Sequence, residues 1–456
     1  MCIDMDHKKL VSEIFSRREA PPLCCVQSFG CQQNVADGER IMGMLCDMGC
    51  GIANDIADAD IVILNTCAVR ENAEQRVYGI IGELKHLKQA KPDAVIGVCG
   101  CMAQEKGTVD RIKRSYRHVD LVFGTFATAE LPRLLYEVLT ERHLAVDTEE
   151  RKNECPENIP VVHSCSYKAG VSIMYGCNNF CTFCIVPYVR GRERSRRPEN
   201  IIEEIKKLAD SGCREIMLLG QNVNSYGRGL DEKIDFPELL RRIDAVDGDF
   251  RVRFMSPHPK DATNEFFDVI AESRKIAKSV HLPLQSGSDD ILRRMHRSYT
   301  VEKYMDMVGY ARKVMPDLSI TTDIIVGFPD ESREDFEKTL DVMRRVRYDN
   351  IYSFIYSKRT GTKAADMPDS ITDREKSDRM GELLALQRKI SEKGYKRFEG
   401  RVFDVLFDGT YKDDFISGKS DEFIITLVKG DPSLIGTMRR VKVIRAHNWA
   451  VEGELL

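Results

Sequence analysis

Apolar and polar positions alternate in a recurring rhythm along this 456-residue chain. Short apolar runs at 23–30, 60–67, 94–101 and 119–125 read as strands buried on both faces. Between them lie charged stretches with apolar residues at helical spacing, 71–89 for example. Strands alternating with helices predict a parallel α/β sandwich over residues 23–146. Residues 147–166 are polar and hold Pro156 and Pro160, which suits an interdomain linker. The alternation resumes over 167–399, with six strands expected at 171–175, 215–219, 251–255, 279–282, 319–324 and 350–355. One intervening helix starts at Pro198, a good first-turn position, and stops near Gly212. A strand-helix unit repeated this often predicts an open or closed α/β barrel. Thr372 and Glu375 form a capping-box pattern, from which a long amphipathic helix reaches toward Phe398. Over 400–456 strand-like runs are broken by Gly, Asp and Pro, and a small β-barrel is expected.

Composition adds two constraints. The chain is 42% hydrophobic with net charge -4, so a basic binding surface must be local. It holds 15 cysteines, yet the first twenty residues are polar and charged and no apolar run reaches transmembrane length. The expectation is a cytoplasmic protein without membrane contact, whose cysteines are metal ligands or buried thiols and not a disulfide framework. Few exposed apolar stripes are evident, which points to a monomer.

Cys177, Cys181 and Cys184 are spaced C-x-x-x-C-x-x-C just after the first barrel strand. Soft thiolates select iron-sulfur clusters or zinc. A structural zinc site wants four ligands, and no fourth Cys or His follows nearby. Three ligands on a 4Fe-4S cubane leave one iron open. A zinc knuckle and unrelated core cysteines are the competing readings. Cys31, Cys67 and Cys101 form a second triplet. Each follows a predicted strand, and in a parallel sheet those strand ends share one edge, where ligands bind. Three thiolates can therefore converge there. Cys99 should point to the opposite face, and Cys24 and Cys25 read as buried thiols.

The loop "GCNNFCTFCIVPYVRGRERSRR" and the six strand-helix units resemble the radical S-adenosylmethionine superfamily. "SFGCQQNVADGERIMGML", "ILNTCAVRENAEQRVYG" and "GCMAQ" look like the amino-terminal domain of the methylthiotransferases within it, and the resemblance covers the whole chain. It implies a parallel α/β domain, a partial (β/α)6 radical barrel and a TRAM-like terminal barrel at 400–456. It implies a radical-generating 4Fe-4S cluster on Cys177, Cys181 and Cys184, whose open iron binds S-adenosylmethionine. Reductive cleavage would then yield a 5′-deoxyadenosyl radical. Phe183 matches the family's aromatic position near the adenine. Gln221, Asn222, Ser256, Gln285, Ser286 and Asp323, in strand-end loops, are expected to help hold the cofactor; loop packing or capping is the competing role for each. Cys31, Cys67 and Cys101 would hold a second, auxiliary 4Fe-4S cluster carrying the sulfur.

"CAVRENAEQRVYG" and the loop at 353–369 resemble the subgroup acting on adenosines that bear an isopentenyl group beside the anticodon. The implied reaction moves a methylthio group to carbon 2 of N(6)-(dimethylallyl)adenosine at position 37 of tRNA. It consumes two S-adenosylmethionines, one as methyl donor and one as radical source. The implied partners are the tRNA anticodon stem-loop, a reductant such as flavodoxin or ferredoxin, and a sulfur source. Methylthiolation of a ribosomal-protein aspartate, or a non-catalytic two-cluster protein that binds RNA or transfers electrons, are the alternatives. Arg190, Arg192, Arg194, Arg196 and Arg197 form a dense basic run. It could seat RNA phosphates, neutralise anionic clusters or pair with acidic helices. In the terminal barrel Arg439, Arg440, Lys442 and Arg445 accompany Tyr411 and Trp449, whereas Asp413, Asp414, Asp421 and Glu422 make its middle acidic.

Overall fold

Two-residue periodicity in buried strands decides how the first unit is built. The structure, a computed structural model, describes residues 5–68, 71–151, 155–412 and 414–456. Strands β1 Leu23–Ser28, β2 Gly51–Ile52, β3 Ile61–Thr66, β4 Val95–Gly100, β5 Leu121–Phe123 and β6 Ala145–Asp147 form a sheet ordered β2-β1-β3-β4-β5-β6. Every pairing in it is parallel. Ile61 and Ile63 of β3 enter a core with Val11, Ile41 and Leu45 on one face. Val62 and Leu64 enter another with Val77, Ile81 and Ile112 on the opposite face. A sheet buried on both sides is the reason its strands read as unbroken apolar runs.

The edge strands β2 and β6 were not foreseen from the pattern. Two or three residues are too few to display a period, and β6 overlaps the start of the segment read as a linker. Residues 160–164 of that segment lie against the helix Gln32–Asp47. Ser164 N and Oγ donate to Glu39 (2.9 and 2.6 Å), and Val162 N donates to Glu39 O. By internal contacts the chain divides into two compact units. The first comprises residues 1–165, 170–178 and 185–200, the second 166–169, 179–184 and 201–456.

Chain order continues with β7 Lys168–Ser172, and the antiparallel pair β8 Met174–Tyr175 and β9 Arg194–Ser195. β10 Glu215–Leu219, β11 Arg251–Phe254, β12 Ser279–His281, β13 Ser319–Val326 and β14 Asn350–Ile355 follow, with helices between them. β10 pairs with β11, and β13 with both β12 and β14, all in parallel. This is the expected open α/β barrel. The capping box at Thr372 and Glu375 is present, with both reciprocal bonds formed, at the start of the helix Asp373–Gly394. Among the described residues no helix is long and apolar enough to cross a membrane.

The last five strands, β15 Val402–Thr410, β16 Phe415–Lys419, β17 Ile425–Lys429, β18 Met438–Ala446 and β19 Val451–Leu455, close into a barrel ordered β15-β16-β17-β19-β18. Its acidic middle has a structural role. Asp421 pairs with the buried Arg251, and Glu422 with Arg401 at 3.5 Å; Asp413 lies outside the described residues. Arg253 is 3% exposed and spans the junction. Its Nε donates to Glu215 Oε2 (2.8 Å), Nη2 to Ser420 O (2.5 Å) and Nη1 to Asp421 O (3.1 Å). Truncating it removes the hydrogen-bonded partner of the buried Glu215 carboxylate, which keeps only the longer ion pairs to Arg251 (3.6 Å) and Lys168 (3.9 Å), and leaves two barrel carbonyls without their donor. Arg253→Met should therefore cost about 3–5 kcal/mol, whereas Arg214→Ala, which removes a pair to the exposed Asp249, should cost under about 1 kcal/mol. Anaerobic urea unfolding of the two variants measures the difference; equal midpoints would mean that the junction carries no buried ion pair of consequence.

Candidate functional site

Strand register sets the geometry at the sheet's carboxyl edge. β1 pairs with β3 as Ser28↔Asn65, and β3 with β4 as Thr66↔Gly100. Continuing both registers sets Gly30 beside Cys67, and Cys67 beside Cys101. The approach at Gly30 leaves no room for a side chain. An added Cβ would lie 2.3 Å from Cys67 Cβ, and the backbone there has φ +118°. The strand order reverses between β1 and β3, the crevice where open α/β sheets bind ligands. Cys31 occupies the N-cap position of the helix Gln32–Asp47.

Asn34, in the first turn of that helix, ties the thiols together. Its Oδ1 lies 3.4 Å from Cys31 Sγ and 4.0 Å from Cys101 Sγ, and its Nδ2 donates to Thr66 O at 2.8 Å. Burial pushes the Cys101 thiol up to about 12; Arg190 opposes the shift, and Cys31 and Cys67 reinforce it. The three sulfurs thus share one electrostatic environment. Among the described residues no three Cys, His, Asp or Glu side chains are drawn in closely enough for a bare metal ion. The donor set itself, three thiols, is the soft kind that iron-sulfur clusters and zinc both take.

Arg190 reaches this triplet from the segment after Cys184. It is 4% exposed. Its Nε donates to Cys101 Sγ (3.2 Å), and its Nη2 to Asn34 Oδ1 (3.0 Å) and Asp37 Oδ2 (2.8 Å). Burial disfavours the charge, but Cys101, Asp37 and Cys31 outweigh it and hold the guanidinium firmly protonated. The rest of the basic run divides. Arg196 is buried on Glu157 and Ser172 O, and Arg194 lies over the Phe126 ring. Arg192 and Arg197 are exposed. Of the three roles open to this run, the buried Arg190 and Arg196 take up pairing with acidic partners, which withdraws those two from phosphate. Charge density in sequence says nothing of which way each side chain turns.

In the second unit, Cys181 and Cys184 lie on a turn in which Cys184 N donates to Cys181 O at 2.9 Å. Thr182 fastens it, with N donating to Met295 O and Oγ1 to Arg294 O. Arg297 is buried, with 8% of its surface exposed. It donates to Cys181 Sγ (3.5 Å), Tyr299 Oη (3.1 Å) and Pro283 O (3.0 Å). Phe183 packs on Ile291, Met295 and Phe328. In the first unit, Cys177 N donates to Gly191 O at 3.0 Å. Gly176 there has φ +75°, and a Cβ would meet Arg192 O.

Past the ends of β10, β11 and β12 lie three buried polar atoms without a hydrogen-bond partner: Asn222 Oδ1, His258 Nε2 and Gln285 Oε1. Burial, with Arg297 and Lys260 nearby, keeps His258 neutral. Orphaned acceptors and donors at neighbouring strand ends suit a polar cofactor such as S-adenosylmethionine. Gln221 and Ser256 are half-buried in the same loops, with φ +62° at Ser256. Ser286 is fully buried against Thr339 Oγ1 and Ser288 N, a structural contact. Asp323 is not in a loop. β13 pairs with β14 as far as Val326↔Ile355, so Asp323 sits inside the strand, 3.3 Å from His281 Nε2. Sequence reasoning missed Asn34, Asp37, His258 and Arg297. Only Asn34 carried a local signal, three residues past Cys31 on one helical face.

Known proteins place this geometry in context. Residues 171–343 match the Radical SAM superfamily, and residues 24–124 match Uncharacterized protein family UPF0004. The tRNA-2-methylthio-N(6)-dimethylallyladenosine synthase of Thermoanaerobacter pseudethanolicus is 45% identical over 98% of this chain and 96% of its own length. That of Lachnoclostridium phytofermentans is 47% identical over 94% and 95%. Among solved structures, the radical S-adenosylmethionine methyltransferase TsrM from Kitasatospora setae has a similar fold. Its TM-score is 0.56 at 14% identity, covering 75% of this chain and 74% of that one. The identity along nearly the whole length settles the kinship: this chain belongs to the tRNA-2-methylthio-N(6)-dimethylallyladenosine synthase family of radical S-adenosylmethionine methylthiotransferases.

Proposed function

We propose that this enzyme transfers a methylthio group to carbon 2 of N(6)-(dimethylallyl)adenosine at position 37 of tRNA, in the cytoplasm. The observation that carries the reading is the thiol triplet at the carboxyl edge of a parallel sheet, in a chain that also bears the C-x-x-x-C-x-x-C loop. Cys31, Cys67 and Cys101 would hold the auxiliary 4Fe-4S cluster, and Cys177, Cys181 and Cys184 the radical one. When bound, the clusters and two S-adenosylmethionines supply a methylated sulfur and a radical able to take hydrogen from an unactivated aromatic carbon.

The protein's own groups position these components. Asn34 and the helix amino end orient the first triplet. Asn222, neutral His258 and Gln285 offer polar atoms to the cofactor, and Phe183 continues an apolar wall suited to its adenine. RNA contact is assigned to the exposed Arg439, Arg440, Lys442 and Arg445 of the terminal barrel, with the exposed rings of Tyr411 and Trp449, and to Arg192 and Arg197. The names of the relatives favour tRNA over a ribosomal aspartate. A reductant such as flavodoxin or ferredoxin and a sulfur source complete the system.

Anaerobic reconstitution should give about eight irons per chain, and about four in Cys177→Ala. Cys177→Ala should form no 5′-deoxyadenosine from S-adenosylmethionine. Cys67→Ala should still form it yet add no sulfur to tRNA. Loss of both activities in Cys67→Ala with its radical cluster intact would refute this division of labour. Incubation with isopentenylated tRNA and, separately, ribosomes should give the thiomethyl mass gain on tRNA alone; gain only on ribosomal protein would reassign the substrate.

A further inference from the structure

Arg190 is the feature of the first triplet that ligand counting does not require. Three cluster ligands need no guanidinium, and burying one is costly unless it is paired. It is held rigidly. Its backbone N donates to Val186 O, Thr125 Oγ1 donates to Val189 O, and Ile185 and Val189 pack on Ala68 and Cys101. Around it also lie Asp37, Asn34 and Gln33, the last donating to Asp37 Oδ1 at 3.1 Å, with Arg40 at 3.7 Å from Asp37 and Arg194 Nη2 donating to Arg190 O at 3.1 Å.

We propose that Arg190 is a positioning residue that raises the reduction potential of the group held by Cys31, Cys67 and Cys101, and that Asp37 moderates this effect. The inference rests on reading that triplet as cluster ligands. An N–H donated to a ligand sulfur draws electron density from it, and a buried positive charge stabilises the more negative, reduced state. Cys101 receives both from one side chain, at 3.2 Å. Asp37, 2.8 Å from Nη2, offsets part of that charge. The same charge balances an anionic sulfur added at the open iron. The two residues therefore push the potential in opposite directions.

The test uses the full chain carrying Cys177→Ala, Cys181→Ala and Cys184→Ala, so that only the first triplet binds iron. The readouts are iron content and a redox titration followed by electron paramagnetic resonance. Arg190→Gln should bind as much iron as this parent. At the parent's midpoint its reduced-to-oxidised ratio should fall about tenfold, a shift of about 59 mV for one electron. Arg190→Lys should recover part of the shift, and Asp37→Asn should move the midpoint upward. Unmoved midpoints, or shifts of the same sign in Arg190→Gln and Asp37→Asn, would overturn the proposal. If Arg190→Gln takes up no iron, Asp37→Asn decides alone: a rise supports the proposal and its absence overturns it. A parent that binds no iron overturns the ligand assignment itself, and is recognisable as that separate failure.

Discussion

The close parallel register of β1, β3 and β4 is the constraint on which the first site depends. Parallel strands end on one edge, and a one-residue slip would turn each following side chain to the other face. The registers Ser28↔Asn65 and Thr66↔Gly100 bring Gly30, Cys67 and Cys101 abreast. Gly30 is what lets them approach, since any Cβ there would overlap Cys67. Asn65 and Asn34 then fasten strand to helix, Asn65 Nδ2 donating to Asn34 O at 2.6 Å. The placement of the three thiols is thus inherited from backbone pairing and needs few dedicated side-chain contacts.

The same dependence explains what was legible in the sequence. Apolar runs mark β1, β3 and β4 within a residue or two, so cysteines just beyond them could be assigned to one edge before any coordinates. The spacing of Cys177, Cys181 and Cys184 is local and equally readable. Arg297 is not: it meets Cys181 across 116 residues of sequence. Asp37 and Arg190 are separated by 153 residues, and each looks like an ordinary surface charge until paired. Asp323 misled because the end of a strand is set by its partner's hydrogen bonds and not by its own composition.

A net charge of -4 conceals how charge is used inside the molecule. Arg190, Arg251, Arg253 and Arg297 are each under a tenth exposed, and each bonds several groups. The acidic middle of the terminal barrel, which looked unsuited to RNA, serves partly to receive Arg251 and Arg401. Arg439, Arg440, Lys442 and Arg445 of β18 stay exposed, and the proposed RNA contact rests on them.

The choice of arginine over lysine at these positions follows from geometry. Arg190 donates through Nε to a sulfur and through Nη2 to an amide oxygen and a carboxylate. Arg253 likewise joins a carboxylate to two carbonyls. A lysine ammonium is a compact, strongly hydrated charge and does not span such partners with a planar fork. Lysine at 190 would preserve the sign of the charge but not the directed N–H to sulfur. The two contributions to a cluster's potential, field and hydrogen bond, are in principle separable at this one residue.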